Sequence, residues 1–351
     1  MILSLKILFI SVFIQLSNNE YRYTVEDYNV IKENLNTSET EVTYLNATDD
    51  INLDSYKLIV KNDEYFFINK ASGLVYKNQD NTLERIDNSL DNRLLIDSYI
   101  FKHNDTIFRY GGYGFWSQRN FMIYYDESIN EWEIYKINTN SYAPKGSYSG
   151  VYFKEKNDIY FIGGKKVNEI NKLESVYNED VIKFNFDSRS FEYLGKLTFN
   201  FDISSLIVKD DKGFAINNGS KIVYVNPLEN EIIQFDKTPL LLNLKSPLDN
   251  NNKNYFFNKS YFFEVYKNQN SETNILEVSK SDFFRNKKTE SKLYKRSTLD
   301  SIEISTLFLI IIFIMSVILI YDRYRFNKVT LHKDGIIYKR VLNKLNKKEI
   351  D

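Results

Sequence analysis

The sequence predicts a mostly β protein: an all-β region of repeated strand units, followed by one membrane-spanning helix. Short runs rich in Tyr, Phe, Ile and Val alternate with clusters of Asn, Asp, Ser and Gly, a pattern typical of strands and turns. No helical periodicity of convincing length occurs outside residues 304–320, which are seventeen residues without a charge. These observations define the order of the elements along the chain.

Composition indicates a well-packed protein and argues against most classes of enzyme. The chain has 351 residues, 16% of them aromatic, with only 12 Gly and 4 Pro. It has no Cys, which excludes disulfides, thiol catalysis and Cys-ligated metals. The two histidines, His103 and His332, leave almost nothing for an imidazole metal site or a histidine base. We therefore expect no catalysis, no metal and no cofactor, and we expect His103 to be a solvated turn residue.

Residues 1–17 are predicted to be a signal peptide. Lys6 gives the start one positive charge, and 7–16 form an apolar run too short to span a bilayer as a helix. A buried strand of a cytoplasmic domain is the alternative for this run.

Residues 304–321 are predicted to be a transmembrane helix. The uncharged run is about 26 Å long as a helix, and Tyr321 and Tyr324 at one end suit a membrane interface. With an export signal at the start, the single-pass topology places 18–296 outside the cell membrane and 322–351 in the cytoplasm. The tail holds nine of the 46 basic and four of the 47 acidic residues, so the exported region is acidic and no nucleic acid partner is expected.

The tail 322–351 is predicted to be short and basic, near anionic lipid. A hairpin is expected to turn at Asp334–Gly335, and Asn346 with Glu349 resembles a capping box that starts a helix. A helix start signal at this place indicates a truncated reading frame or a vestigial module.

A strand pattern recurs between the two apolar segments. In one unit an apolar strand ends at Gly111–Gly112, and Tyr125 precedes Trp132 by seven residues. In the next, Gly163–Gly164 ends the strand, and Phe184 precedes Phe191 by the same seven. Such an offset fits a tight hairpin with the two rings on one side of the sheet. Weaker copies keep the offset, with Tyr76 before Leu83 and Val225 before Ile232; further units are expected at 255–276 and 21–60.

This arrangement resembles the Kelch repeat, an apolar strand, Gly-Gly, and then a Tyr-Asp…Asn-x-Trp hairpin. The best match is Gly111–Gly112 with Tyr125–Asp126 and Asn130-Glu131-Trp132. The resemblance implies an all-β, Kelch-like β-propeller ectodomain of about six blades over 18–296. A β-sandwich or two smaller β domains are the alternatives. Related copper oxidases of the galactose oxidase type need a Cys and two His ligands, so the resemblance implies no copper site here.

The stretch 110–119 holds the candidate binding residues. Tyr113, Trp116 and Arg119 are residue types favoured at interaction hot spots, while Phe115 is expected to fill the gap between neighbouring blades.

The expected function is binding, because the sequence shows a repeated scaffold without a group of catalytic residues. We expect a membrane-anchored module of a bacterial envelope that recognises a protein or a glycan through propeller loops. A single-pass signalling receptor and a carbohydrate-active envelope enzyme are the alternatives.

Overall fold

The computed structural model describes most of the chain before residue 296 and one helix and one hairpin after it. The described residues are 11–17, 21–26, 28–34, 37, 39–47, 51–89, 94–138, 140–200, 206–237, 253–257, 261–267, 273–285, 287–296, 304–326, 330–332 and 335–337. The chain divides into two compact units, Met1–Lys295 and Arg296–Asp351, which are described separately.

Within the described part of the first unit, six sheets follow one another. Sheet 1 contains β1 (Ser11–Ser17), β2 (Tyr21–Glu26), β3 (Asn29–Asn34) and β4 (Thr40–Tyr44). Sheet 2 contains β5 (Asn46–Ala47), β6 (Tyr56–Lys61), β7 (Glu64–Asn69), β8 (Val75–Gln79) and β9 (Thr82–Arg85). Sheet 3 contains β10 (Tyr99–His103) and β11 (Thr106–Tyr110) and, after a small hairpin of β12 (Tyr113–Gly114) and β13 (Ser117–Gln118), β14 (Met122–Asp126) and β15 (Glu131–Ile134).

The later sheets repeat this plan. Sheet 4 contains β16 (Val151–Glu155) and β17 (Asp158–Ile162) and, after a hairpin of β18 (Lys165–Val167) and β19 (Ser175–Tyr177), β20 (Asp180–Asn185) and β21 (Ser190–Leu197). Sheet 5 contains β22 (Leu206–Lys209), β23 (Phe214–Asn218), β24 (Lys221–Asn226) and β25 (Glu231–Asp236). Sheet 6 contains β26 (Lys253–Phe257), β27 (Tyr261–Lys267) and β28 (Thr273–Ser279), and is followed by the short helix α1 (Lys280–Phe283). Apart from the parallel β5–β9 pair, successive strands pair antiparallel as meanders.

A late segment closes the outer edges of two sheets. After α1, β29 (Lys287–Lys292) pairs antiparallel with β25, and β30 (Tyr294–Lys295) pairs with β21. Leu293, between the two short strands, is fully buried among apolar side chains of sheets 4 and 5. We call residues 287–295 the strap. The strap gives both sheets a fifth strand and joins them along their outer edge.

The sheets pack face to face in sequence order. Apolar side chains from sheets 1 and 2 form one buried cluster, and the same holds for each neighbouring pair up to sheets 5 and 6. Each inner sheet uses both faces because side chains alternate along a strand: Ile100 of β10 packs toward sheet 2, whereas Phe101 packs toward sheet 4. Consecutive meanders packed in this way are the building plan of a β-propeller, and the structure supports that predicted fold.

In the second unit, a helix forms where the sequence predicts one. The helix, α2 (Ile304–Phe326), precedes a hairpin of β31 (Thr330–His332) and β32 (Gly335–Ile337). Among the residues described in the structure, no helix is both long and apolar enough to cross a membrane. The capping box predicted at Asn346 lies outside the described residues.

Two expectations differ from the structure. Residues 11–17 of the predicted signal peptide form β1, which pairs with β2 from Ser11 opposite Glu26 to Ser17 opposite Arg22. Cleaved residues could not make this pairing, so the strand and a cleaved leader are alternative roles for the segment. His103, expected to be solvated, is 7% exposed because it stacks on Phe186 with 3.7 Å between ring centroids. Burial and the nearby Lys154 lower its pKa.

Candidate functional site

The Gly-Gly pairs end the second strands of sheets 3 and 4 in backbone conformations that favour glycine. Gly111 and Gly112 have φ of +69° and +104°, and Gly163 and Gly164 have φ of +63° and +91°. A Cβ at Gly112 would lie 2.7 Å from the Leu95 backbone, and one at Gly164 would lie 2.6 Å from the Tyr148 carbonyl. The glycines therefore allow neighbouring segments to approach, and the hairpins that follow leave each sheet at this point.

The aromatic pairs of the repeat lie opposite each other across the outer hairpins. Tyr125 pairs with Trp132, with ring centroids 5.4 Å apart, and Phe184 pairs with Phe191 at 4.7 Å. The Trp132 indole Nε1–H also donates to the Gly73 carbonyl at 2.8 Å. These four rings connect strands within a sheet and pack against the neighbouring sheet, so their role in the structure is packing.

Two hairpins extend from sheets 3 and 4 and carry large exposed apolar side chains. In the first, Tyr113 pairs with Gln118 and Gly114 with Ser117, which leaves Phe115 and Trp116 as a two-residue turn. Both turn residues have left-handed backbone angles, with φ of +48° and +56°. Such turns normally contain Asn and Gly, because bulky residues are strained there. Phe115 is nevertheless 71% exposed and Trp116 56% exposed.

The second hairpin presents aliphatic side chains. Strands β18 and β19 enclose a loop in which Ile170 is 97% exposed and Leu173 is 81% exposed. The loop is held from within: the Asn168 carboxamide oxygen accepts the Ile170 N–H at 2.9 Å, and the Asn168 N–H donates to the Glu174 carbonyl at 3.0 Å. The exposed side chains therefore project from an ordered loop.

Direct contacts join the two hairpins. The Val167 N–H donates to the Gln118 Oε1 at 3.0 Å. Tyr113 of the first hairpin packs on Tyr148 with ring centroids 5.3 Å apart, and Tyr148 exchanges two backbone hydrogen bonds with Lys165 of the second. We call the exposed tips, Phe115, Trp116, Ile170 and Leu173, the hairpin surface.

The three predicted binding residues, Tyr113, Trp116 and Arg119, all belong to the first hairpin or its end, but they differ in exposure and in role. Trp116 is at the tip and exposed, whereas Tyr113 is half-buried at the base. Arg119 supports the turn, since its guanidinium Nη2 donates to the Gly114 carbonyl at 3.2 Å. The expectation that Phe115 fills a gap between blades is wrong, because the side chain faces solvent. Sequence reasoning missed Ile170 and Leu173, whose only sequence signal is two apolar residues in a polar loop.

Charged side chains flank the hairpin surface. Lys145 and Glu169 form an ion pair at 2.9 Å beside it, and both side chains are strongly exposed, so the pair contributes little to stability. Within the described residues, no three His, Cys, Asp or Glu side chains are grouped so that they could hold a metal ion. The surface can bury apolar area against a partner.

Comparisons with known proteins give no family for this chain. No family model matches it, and no curated protein matches it. Among solved structures, one described as "Structure of YjhT" is similar at a TM-score of 0.45 and 12% sequence identity, over 76% of this chain and 93% of that chain. The propeller architecture described above rests on the chain's own strand order and packing rather than on this similarity.

Proposed function

We propose that the protein is a binding module that recognises a partner protein through the hairpin surface. The observation that carries the proposal is the exposure of Phe115, Trp116, Ile170 and Leu173 on two ordered hairpins that touch each other. Clustered exposed apolar side chains mark interaction sites, and Trp is among the residues enriched at binding hot spots.

A protein partner fits this surface better than a glycan does. Sugars stack on flat aromatic faces, which Phe115 and Trp116 could offer, but Ile170 and Leu173 have no such face. The aliphatic side chains at the second tip suit the apolar core of a protein interface, with Lys145 and Glu169 at its polar rim.

Strain in the first turn supports a functional reason for its aromatic residues. Two bulky residues in the left-handed region cost on the order of 1 kcal/mol each or more. Asn and Gly would form the same turn without this cost. A binding role would explain why residues that lower stability stand in this exposed turn.

The test replaces the exposed apolar residues of each hairpin with polar or small residues; at the first turn these are Asn and Gly, which the turn prefers. Phe115→Asn with Trp116→Gly, and separately Ile170→Ser with Leu173→Ser, are compared with the exposed control Ile134→Ser on β15. Partners are captured from an extract of the source cells with the full chain in detergent and identified, and their affinities are then measured with purified components. We expect both hairpin variants to bind at least about tenfold more weakly than the unaltered protein, and the control to bind with unchanged affinity.

Two results would contradict the proposal. Unchanged affinity in both hairpin variants would place the binding surface elsewhere. Specific binding of a purified glycan that depends on Trp116 but not on Ile170 or Leu173 would replace the protein partner with a sugar.

We also infer that α2 attaches the module to a membrane, although its described residues alone are not long and apolar enough to cross one. Residues 309–321 are all exposed, and apart from Ser316 and the terminal Tyr321 they are aliphatic, Phe or Met. The Ser316 hydroxyl donates to the Ile312 carbonyl at 2.7 Å, so it needs no water partner. Extraction tests this: the protein should stay in the membrane fraction at alkaline pH and leave it in detergent, and Ile312→Asp with Leu319→Asp should release it. Release of the unaltered protein at alkaline pH would contradict the inference.

The Kelch-like origin of the repeat and the export of 18–296 remain predictions. The glycine pairs and aromatic pairs of sheets 3 and 4 support the first.

A further inference from the structure

Three consecutive sheets place a lysine at the same position of their first full strand. In each sheet this residue pairs with the residue five positions later, so that Lys102 is opposite Ile107, Lys154 opposite Ile159 and Lys209 opposite Phe214. In sheet 2 the equivalent pair is Val60 with Tyr65. The three lysines therefore occupy one repeat position on β10, β16 and β22.

Each of these lysines reaches to the first strand of the sheet before it. The Lys102 ammonium donates to the Val60 carbonyl at 2.9 Å, and the Lys154 ammonium donates to the Lys102 carbonyl at 3.0 Å. The Lys209 ammonium donates to the Tyr152 carbonyl at 3.1 Å. All four first strands, β6, β10, β16 and β22, are thus connected through lysine side chains.

A fourth lysine lies near Lys209, on a sheet that is not its neighbour in sequence order. The ammonium of Lys57, on β6 of sheet 2, lies 5.4 Å from the centre of the Tyr152 ring, and the Lys209 ammonium of sheet 5 lies 4.4 Å from the same ring. Sheets 2, 4 and 5 meet here, as first strands do around the axis of a propeller. We call Lys57, Lys102, Lys154 and Lys209 the axial lysines.

The charge of this group is not balanced by the described part of the protein. None of the axial lysines forms an ion pair with a described carboxylate, and all four are half-buried. Burial and the charge of Lys57 lower the pKa of Lys209 to about 7, and burial and Lys102 lower the pKa of Lys154. Each ammonium has three donors, and those of Lys102, Lys154 and Lys209 each give one to a backbone carbonyl. Several charged donors therefore remain for an acceptor from outside.

We propose that the axial lysines bind a phosphate group, either as the free ion or as a phosphomonoester. A phosphate carries about two negative charges and several strong acceptor oxygens, which match a cluster of ammonium groups. Lysine ammonium groups act as point charges that can adapt to such a ligand without a fixed bidentate geometry. This site is separate from the hairpin surface, so either proposal can fail alone.

A structural role alone makes a different prediction. If the lysines only fasten neighbouring strands, their loss should lower stability in any buffer, and phosphate should have no special effect. If they form an anion site, loss of one positive charge should relieve repulsion without phosphate and remove the stabilisation that phosphate gives.

The experiment measures thermal unfolding of the full chain in detergent against rising inorganic phosphate, with potassium chloride at matched ionic strength as the salt control. A second arm uses phosphoserine, which separates the free ion from a phosphomonoester. The variants are Lys209→Met and Lys57→Met, and the matched control is Lys212→Met, an exposed lysine just after β22. The Lys57 ammonium donates to no carbonyl in the described part of the chain, so Lys57→Met reports on charge even if Lys209→Met folds poorly.

We expect phosphate to raise the unfolding temperature of the unaltered protein beyond the effect of chloride. Half-saturation should need at least about tenfold more phosphate in the Lys57 and Lys209 variants and change less than about twofold in the control. The proposal is overturned if phosphate and phosphoserine act no differently from chloride. It is equally overturned if both variants keep the full phosphate effect.

Discussion

Gly73 and Arg109 illustrate how one glycine allows a buried cation between two sheets. Arg109 of β11 is 2% exposed, and its guanidinium donates to the carbonyl of Leu95 at 2.8 Å and to the hydroxyl of Ser98 at 3.0 Å. It also lies against Trp132, 5.6 Å from the ring centre. Burial without a carboxylate lowers its pKa to about 9. The space for this side chain exists only because Gly73 has no Cβ.

Gly73→Ala should be strongly destabilising. The backbone φ is +82°, and a Cβ would lie 1.8 Å from the Arg109 Nη1 atom. We expect a loss of more than about 2 kcal/mol, because strain adds to displacement of a buried charge. Gly219→Ala is the control, since its φ is +60° and nothing lies within 4 Å of the added atom, so about 1 kcal/mol is expected. Denaturant unfolding measures both, and equal losses would refute the steric argument.

The strained turn gives a prediction of opposite sign. Phe115→Asn with Trp116→Gly should raise the free energy of unfolding by about 1 kcal/mol or more, since Asn and Gly adopt left-handed angles more readily. The measurement is the denaturant midpoint of the same variant used to test binding. A loss of stability would mean that the two rings pack on the protein and are not held for a partner.

Among the elements, the strap depends on a single buried anchor. All six side chains of β29 are exposed, whereas Leu293 is fully buried. Backbone bonds fix its position: the Leu293 N–H donates to the Asn230 carbonyl at 3.1 Å, and the Thr198 N–H donates to the Leu293 carbonyl at 2.9 Å. The strap is therefore held by hydrogen bonds at its edges and by apolar burial of Leu293, with Tyr294 partly buried beside it.

Leu293→Ala should release the strap while sheets 4 and 5 stay folded. The expected loss is about 2–4 kcal/mol, typical of a buried Leu that becomes Ala. Amide hydrogen exchange should become faster in β29 and β30 and in the facing strands β21 and β25, but not in β10. Thr289→Ala, exposed in the middle of β29, should change little. If exchange rises evenly across all sheets, the strap is not a separate unit.

Strand pairing in the repeat shows how far the sequence could predict the elements. Tyr125 opposite Trp132 and Val225 opposite Ile232 follow the seven-residue offset, since their hairpins have four-residue loops. In sheet 2 the loop has only two residues, so Gln79 pairs with Thr82 and Tyr76 lies opposite Arg85 instead of Leu83. Residue spacing alone does not reveal loop length, and the offset therefore fails there.

At the scale of the whole molecule, the axial lysines make stability depend on pH. The pKa of Lys209 is about 7 in the folded protein, against an ordinary value of 10.5, because of burial and the neighbouring charge of Lys57. Between these two values the unfolded chain binds more protons than the folded one, so stability rises with pH. Below about pH 7 Lys209 is protonated in both states, and the folded protein bears the full free-energy cost of burying the charged ammonium.

Lys209→Met should remove this dependence. The free energy of unfolding of the unaltered protein, minus that of the variant, should increase between pH 7 and about 10, with a slope of at most about 1.4 kcal/mol per pH unit. Unfolding in denaturant at several pH values measures it, and taking the difference cancels the other titrating groups. A difference that stays flat across this range would show that the ammonium is well solvated.

Much of the architecture could be predicted from the sequence, whereas the candidate sites could be predicted only in part. The Gly-Gly pairs and aromatic hairpins encode local turns and cross-strand packing, which a single sequence displays. The hairpin surface and the axial lysines are different, because contacts between distant segments create them: Val167 bonds to Gln118, and Lys57 and Lys209 both lie near the Tyr152 ring. In a sequence with abundant lysine, such residues look like solvated charges until strand register aligns them.

The strap has a consequence for how the chain is made. Strands β21 and β25 leave the ribosome about fifty to a hundred residues before the segment that covers them. Until residues 287–295 emerge, the outermost backbone groups of two finished blades stay open to pairing with any other extended chain, as uncovered strands generally are. Nascent protein is therefore most prone to aggregate until Leu293 is buried and the strap has paired with β21 and β25. Slower translation just upstream of the Leu293 codon would lengthen the time for which these strand edges are exposed.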